Sequence, residues 1–251
     1  MSSRIVSEPR EPIIHIEHVG VRYRVPHERI GTFKEYAIRW MQRRIDYQEF
    51  WALRDVTLQI DRGEVFGVVG RNGAGKSTLL KVISRVLHPT RGRIRVRGGV
   101  APLLELGAGF HPELTGRENV FLNGTLLGHS HREITERFAD VLEFAELNEF
   151  IDAPLRTYSS GMTARLGFAV ATTWKPDVLL LDEILAVGDE AFQAKCRERI
   201  ASFSDSGTTI LLVTHDLTLV QTLCQRTVWI DHGTVRCVGP STDVARAYSG
   251  A

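Results

Sequence analysis

Gly70-Arg71-Asn72-Gly73-Ala74-Gly75-Lys76-Ser77-Thr78 decides how the chain is read. The run meets every fixed position of the phosphate-loop pattern G-x-x-x-x-G-K-[ST]. The preceding Glu64-Val65-Phe66-Gly67-Val68-Val69 is an apolar, β-branched stretch that predicts a buried strand. From Lys76 to Leu87, apolar residues fall at Leu79, Leu80, Val82, Ile83, Val86 and Leu87, which is the spacing of a helix. Strand, glycine loop and helix in that order are the context in which such a loop holds an anion. Gly70, Gly73 and Gly75 let the backbone turn sharply and aim its N–H groups inward, and the helix N-terminus adds partial positive charge. Gly70, Arg71, Asn72, Gly73, Ala74, Gly75, Lys76, Ser77 and Thr78 therefore form the candidate cradle for a nucleoside triphosphate. Lys76 would reach the β- and γ-phosphates, and Ser77 would ligate Mg²⁺. A tight turn with a surface lysine is the alternative, and the flanking strand and helix argue against it.

Composition narrows the class. The 31 Lys and Arg stand against 30 Asp and Glu, a net charge of +1, so the chain as a whole is not a polycation built for nucleic acid. Its three cysteines (Cys196, Cys224 and Cys237) lack metal-ligand spacing and read as small buried hydrophobes of a reducing compartment. Residues 1–12 have no apolar core of a signal peptide, and no apolar run approaches the ~20 residues that cross a bilayer. Any membrane role is expected to be peripheral or through a partner.

Beyond a polar tail over residues 1–12, strand-like runs occur at Ile13–Tyr23 and Val56–Ile60, with a charged stretch between them. Short strands are expected at Arg93–Val96 and Val100–Leu104. From about Glu113 to Trp174 the pattern is almost wholly helical; Glu133–Leu147 places Ile134, Phe138, Val141, Leu142 and Ala145 on one face. Strands and helices then alternate: Val178–Leu181, Glu190–Phe203, Thr208–Val213, Leu217–Cys224, Thr227–Ile230, Val235–Val238 and Thr242–Ser249. This order predicts an α/β fold with a mainly parallel sheet and a helical part, about 110–175, inserted into it. Residues 24–50 stand apart. Between Arg22 and Arg44 there are seven basic residues and two acidic ones. Thr32-Phe33-Lys34-Glu35 matches a capping box ahead of Phe33, Ala37, Trp40, Met41 and Ile45 on one helical face. Such a basic amphipathic helix is either a membrane- or partner-docking element or a solvated helix packed on its own domain.

Three further motifs carry chemistry. Val178-Leu179-Leu180-Leu181-Asp182-Glu183 is an apolar strand ending in two carboxylates. At that end of a parallel sheet side chains face the ligand crevice, so Asp182 is placed to hold Mg²⁺ and Glu183 to activate the attacking water. Tyr158-Ser159-Ser160-Gly161-Met162 opens a helix whose small residues leave N–H groups available to an anion. Leu212-Val213-Thr214-His215-Asp216 sets His215 at a strand end.

Phosphate loop, helical insert, Ser-Ser-Gly helix start and Leu-Leu-Leu-Asp-Glu, in this order, resemble the ATP-binding cassette (ABC) ATPases from about residue 13 onward. The likeness continues in Ala186-Val187-Gly188-Asp189, similar to the family's D-loop, and in His215, similar to its switch histidine. The resemblance implies a P-loop core of the ABC type with an N-terminal antiparallel part. It also implies two copies that sandwich two ATP molecules. Ser159, Ser160 and Gly161 of one copy would then face the γ-phosphate held by the other's Lys76, with His215 contacting that phosphate and Tyr23 stacking on adenine. No glutamine occurs between Gln59 and Gln193, so the family's Q-loop glutamine and the last signature residue are both missing. Glu105 is the nearest stand-in for the first, and Met162 replaces the second.

Phe50–Val56, Leu103–Phe110 followed by Thr115-Gly116-Arg117-Glu118-Asn119, and Asp182–Asp189 look like the ATPase subunits that export O-antigen, capsule or teichoic acid polymers. That likeness implies an ATPase on the cytoplasmic face of the membrane, driving a separate integral membrane permease for a lipid-linked polysaccharide. It gives the 24–50 insert the place of a loop and gate helix near the membrane. The sequence stops at Ala251, just past Val244–Tyr248, so the C-terminal carbohydrate-binding domain of some members is not expected. Two rival readings are a non-transport ABC ATPase and a nucleotide-binding regulator without turnover.

Overall fold

The structure, a computed structural model, describes residues 12–26, 47–104, 106–182 and 188–250. The expected helix over Phe33–Ile45, Glu105, Glu183 and the first half of the D-loop-like run lie outside the described residues.

Two sheets form the body. The first is antiparallel, in the order β2-β1-β4, from β1 (Pro12–Pro26), β2 (Tyr47–Asp61) and β4 (Arg91–Val96). The second runs β5-β6-β7-β3-β8-β9, from β3 (Val65–Val69), β5 (Val100–Leu103), β6 (Val178–Asp182), β7 (Thr209–Val213), β8 (Arg226–Asp231) and β9 (Thr234–Pro240). Its pairings are parallel except β8 with β9. Strands buried on both faces read as continuous apolar runs, which is how Val65–Val69 and Thr209–Val213 are written.

Alternation along these strands feeds two cores. Phe66, Val68, Leu180, Leu211 and Val213 point to one face, where they meet β1, β2 and α1 (Lys76–Ile83). Val69, Leu179, Leu181, Ile210 and Leu212 point to the other, against Phe168 of α4 (Ser160–Thr172), Phe192 and Cys196 of α5 (Glu190–Asp205) and Val220 of α6 (Leu217–Leu223). Val244 of the closing helix α7 (Ser241–Ser249) completes that side. A third core joins α2 (Gly116–Leu126), α3 (His131–Ala145) and α4 through Val120, Ile134, Val141, Leu166 and Val170. Helix α4 contributes to both the second and third cores, so it is the seam between sheet and helical region.

Several element limits differ from the sequence reading, each for a local reason. β2 is three times the length of the expected Val56–Ile60 run and begins at Tyr47. Gln48, Glu49 and Phe50 are exposed in succession, so no alternation marks this end of the strand, and Arg22 donates to Glu49 across the pair at 2.8 Å. α1 stops at Ile83 rather than Leu87 because Arg85 adopts a left-handed φ of 62° and donates to the Val96 carbonyl at 2.6 Å, turning the chain toward β4. The helical stretch is broken after α3, where Glu146 is left-handed, and only one short 3-10 turn, Leu155–Thr157, lies before α4.

Candidate active site

Parallel pairing brings three strand ends together. Val213 of β7 is register partner to Val68 of β3 on one side and to Asp182 of β6 on the other. The phosphate loop, Asp182 and the Thr214–Asp216 turn therefore share one edge of the sheet, the crevice at its carboxyl ends where α/β folds bind ligands.

The loop is held from beneath. Gly70 and Gly75 carry φ values of 156° and 108°, and a Cβ on them would lie 2.2 Å from the Ile230 carbonyl and 2.5 Å from the Ala52 carbonyl. The Gly233 N–H donates to the Ala74 carbonyl at 2.9 Å, and Arg54 N–H donates to the Gly233 carbonyl at 2.7 Å. Gly73 is the opposite case, with a φ of 80° and no atom within 4 Å of an added Cβ, so that side of the loop is open. α1 has no side-chain cap and no acid in its first turn, which leaves its N-terminal donors and dipole directed at this opening. Lys76 Nζ arches over the loop and donates to the Gly70 carbonyl at 2.7 Å and the Arg71 carbonyl at 3.2 Å. Ser77 Oγ donates to Asp182 Oδ2 at 3.2 Å. A hydroxyl and a carboxylate from two elements thus converge, a hard oxygen pair suited to Mg²⁺.

His215 lies exposed beyond β7. Its turn is fixed by its neighbours: Asp216 N–H donates to Thr214 Oγ1 at 3.1 Å, and Asp216 Oδ1 accepts from Thr218 N–H at 2.9 Å and Leu219 N–H at 3.2 Å.

Ser159, Ser160 and Gly161 form a second, separate surface. Ser159 caps α4 by accepting from Met162 N–H at 3.2 Å, Ser160 is exposed, and an added Cβ on Gly161 would meet only Ser159 Oγ at 3.8 Å. This helix start also lacks an acid in its first turn. Among the described residues no hydrogen bond joins Ser159, Ser160 or Gly161 to residues 70–78 of the same chain. Tyr23 is 38% exposed and lies within β1 rather than at its end, paired in register with exposed Phe50.

Two supports of α4, Gly167 and Arg165, were not singled out from the sequence. Gly167 lets the helix touch the segment after Glu105: its added Cβ would lie 2.6 Å from Gly107 N. Arg165 reaches Asp189 at 2.5 Å and Glu146 at 2.9 Å and lies 4.8 Å from the Phe192 ring centre, tying α4 to the cap of α5 and the end of α3. Glu146 is held below the usual carboxylate range by hydrogen bonds from Lys195 and Arg165. Asn119, fully buried, accepts from His111 N–H at 2.7 Å and donates to the carbonyls of His111, Leu114 and Thr115. It fastens the turn that leads from residues 106–110 into α2. In the sequence Asn119 stands between the capping Glu118 and the apolar Val120, where a buried polar residue needs partners.

Comparison with known proteins places this geometry. A family model described as ABC transporter matches residues 53–186. The O-antigen export system ATP-binding protein RfbB of Klebsiella pneumoniae is 45% identical over 243 residues, covering 96% of this chain and 98% of that protein. The teichoic acids export ATP-binding protein TagH of Listeria monocytogenes is 37% identical over 235 residues, 94% of this chain and 69% of that one. A solved dimeric ATP-binding cassette, in a post-hydrolysis state with ADP and Pi, shares the fold with a TM-score of 0.70 at 22% identity, over 91% of this chain and 98% of that one. Matched across its phosphate loop and Asp182 strand, and over nearly its full length by an export system ATP-binding protein, the chain belongs to the ABC transporter family.

Proposed function

We propose that this chain is the ATP-hydrolysing subunit of an exporter that moves a lipid-linked polysaccharide through a separate membrane permease, and that it acts as a pair of copies. The near full-length identity to an O-antigen export ATPase carries the substrate class. The Ser77–Asp182 contact beneath Lys76 supports the chemistry.

The loop amides and Lys76 hold the phosphates of ATP and offset charge on the transferring phosphoryl group. Ser77 and Asp182 would hold Mg²⁺, which would supply positive charge to the phosphate oxygens. Glu183, next in sequence, takes a proton from the water that attacks the γ-phosphorus, and ADP departs. His215 contacts the γ-phosphate side, and Tyr23 stacks on adenine. Ser159, Ser160 and Gly161, which make no hydrogen bond to their own loop among the described residues, serve the second copy, since an exposed helix start without acids in its first turn is suited to an anion brought from outside. Glu105, two residues before Gly107 in the sequence, is the Q-loop substitute. ATP binding closes the pair and hydrolysis reopens it, a ligand-driven population shift.

The test is genetic. Loss of the chain should leave its host without the surface polymer and with lipid-linked polymer retained inside, and wild type but not Glu183→Gln should restore export. Normal surface polymer in the deletion strain would refute the substrate class.

A further inference from the structure

The start of α4 is thinly held. Ser159 caps only its own helix, Ser159 and Ser160 are exposed, and an added Cβ on Gly161 meets nothing nearer than Ser159 Oγ at 3.8 Å. Just before it, the 3-10 turn Leu155–Thr157 is tied to the loop ahead of α2. Leu155 N–H donates to the Leu114 carbonyl and Arg156 N–H to the Pro112 carbonyl, both at 2.9 Å. Thr157 bonds only to Pro154, the cap of its own turn. From Thr157 to Gly161, among the described residues, one hydrogen bond reaches outside the turn and the helix: Tyr158 Oη donates to the Phe150 carbonyl at 2.7 Å.

That hydroxyl has a place made for it. The Phe150 carbonyl also accepts from Ala153 N–H at 2.8 Å, so the acceptor is itself fixed. The same stretch holds the start of α2, where Gly116 N–H donates to the Ala153 carbonyl at 3.2 Å and Arg117 N–H to the Ile151 carbonyl at 2.8 Å. A Cβ on Gly116 would lie 2.3 Å from Tyr158 Oη and 3.0 Å from the Ile151 carbonyl. Gly116 has no positive φ, and glycine is a poor helix former, so the close approach of the hydroxyl accounts for glycine as the first residue of α2. The tyrosine ring packs against the third core. Burial, with help from the charge of Asp152, raises the phenol above its ordinary range, so Oη keeps its proton and donates at neutral pH.

A ring that only filled the core would serve as well without its hydroxyl. The hydroxyl adds direction, because it fixes the chain one residue ahead of Ser159. A helix start binds an anion best when its N–H groups are already aimed, so that little ordering remains to be done on binding.

We propose that Tyr158, through its hydroxyl, is a positioning residue for the nucleotide held by the second copy: its bond to the Phe150 carbonyl beside Gly116 preorganises the Ser159–Gly161 helix start on which the partner's ATP closes. The proposal rests on the two-copy function given above.

The test is the ATP-driven association of the full-length protein carrying Glu183→Gln, followed by analytical ultracentrifugation with ATP and Mg²⁺. Adding Tyr158→Phe should weaken the dimer about tenfold, because two such hydrogen bonds are lost per pair. ATP binding by the monomer, read with a fluorescent ATP analogue, should stay within about twofold, and Tm within about 3 °C. Gly116→Ala, which pushes the hydroxyl aside, should weaken the dimer as well. The two changes together should cost less than the product of their separate effects, since both act on one contact. A Tyr158→Phe dimer as tight as its parent would overturn the proposal, whatever its Tm. So would a loss of monomer ATP binding equal to the loss of association, or fully independent effects of the two changes. A Glu183→Gln protein that binds ATP and never dimerises would instead overturn the two-copy function, and this inference with it.

Discussion

At the scale of single residues, the glycines of the phosphate loop do different work, and their surroundings separate them. Gly70 lies against the Ile230 carbonyl, whereas Gly73 faces open space. Gly70→Ala must displace backbone and should cost about 1–3 kcal/mol, seen as a lower Tm together with lost nucleotide binding. Gly73→Ala meets no neighbour and bears only the strain of its φ, about 1 kcal/mol, yet places a methyl group where phosphate would approach. Its nucleotide affinity should fall more than its thermal stability; equal losses in the two variants would count against the loop's orientation. Lys76, Ser77 and Asp182 were legible in sequence because each chemical type sits at a fixed distance from a strand or helix start. Arg165 was not, because its partners Glu146 and Asp189 belong to other elements distant in sequence, and the local partners of Asn119 lie in a turn that helical periodicity does not describe.

At the scale of elements, α4 is held by packing on one side and by polar ties on the other. The polar ties run through Arg165 to Glu146 and Asp189, while in neighbouring α2 buried Asn119 holds the preceding turn by four hydrogen bonds. Asn119→Ala would leave the His111 N–H and nearby carbonyls without these partners, at about 1–3 kcal/mol and a Tm fall of several degrees by calorimetry. A Tm within a degree or so of wild type would mean that water or a local shift replaces it. Some element limits had readable signals that periodicity alone passed over. Thr115 with Glu118 and Ser130 with Glu133 form complete capping boxes at the starts of α2 and α3, and both glutamates are held below their usual range by those hydrogen bonds. The early stop of α1 was not readable, since it depends on Arg85 reaching the Val96 carbonyl of another element.

At the scale of the whole molecule, the cores cover the sheet on both faces, and two cysteines report on the face packed against α4, α5 and α6. Burial pushes the Cys196 thiol up to about 11 and the Cys224 thiol up to about 12, the latter with help from the nearby charge of Glu64. Cys237 is only partly buried. A thiol reagent near neutral pH should therefore label Cys237 alone in the native protein and all three cysteines in denaturant. Native labelling of Cys224 would contradict the packing of β3 against α6. The order of strands and helices was legible because buried parallel strands are written as unbroken apolar runs. The fifteen-residue β1 and β2 were read too short because exposed residues follow one another without alternation at the end they share.

The central claim is that each ATP is held by Lys76 of one copy and by Ser159 and Gly161 of another. Among the described residues no hydrogen bond joins these groups within one chain, and the proposal brings them together across two copies. Measuring the mass of Glu183→Gln in solution with and without ATP and Mg²⁺ tests this directly. ATP should convert monomer to dimer with little turnover, and adding Ser159→Arg, which places bulk and positive charge at the helix start, should abolish the dimer while each monomer still binds ATP. A protein that binds ATP yet stays monomeric, or a dimer indifferent to Ser159→Arg, would contradict the account.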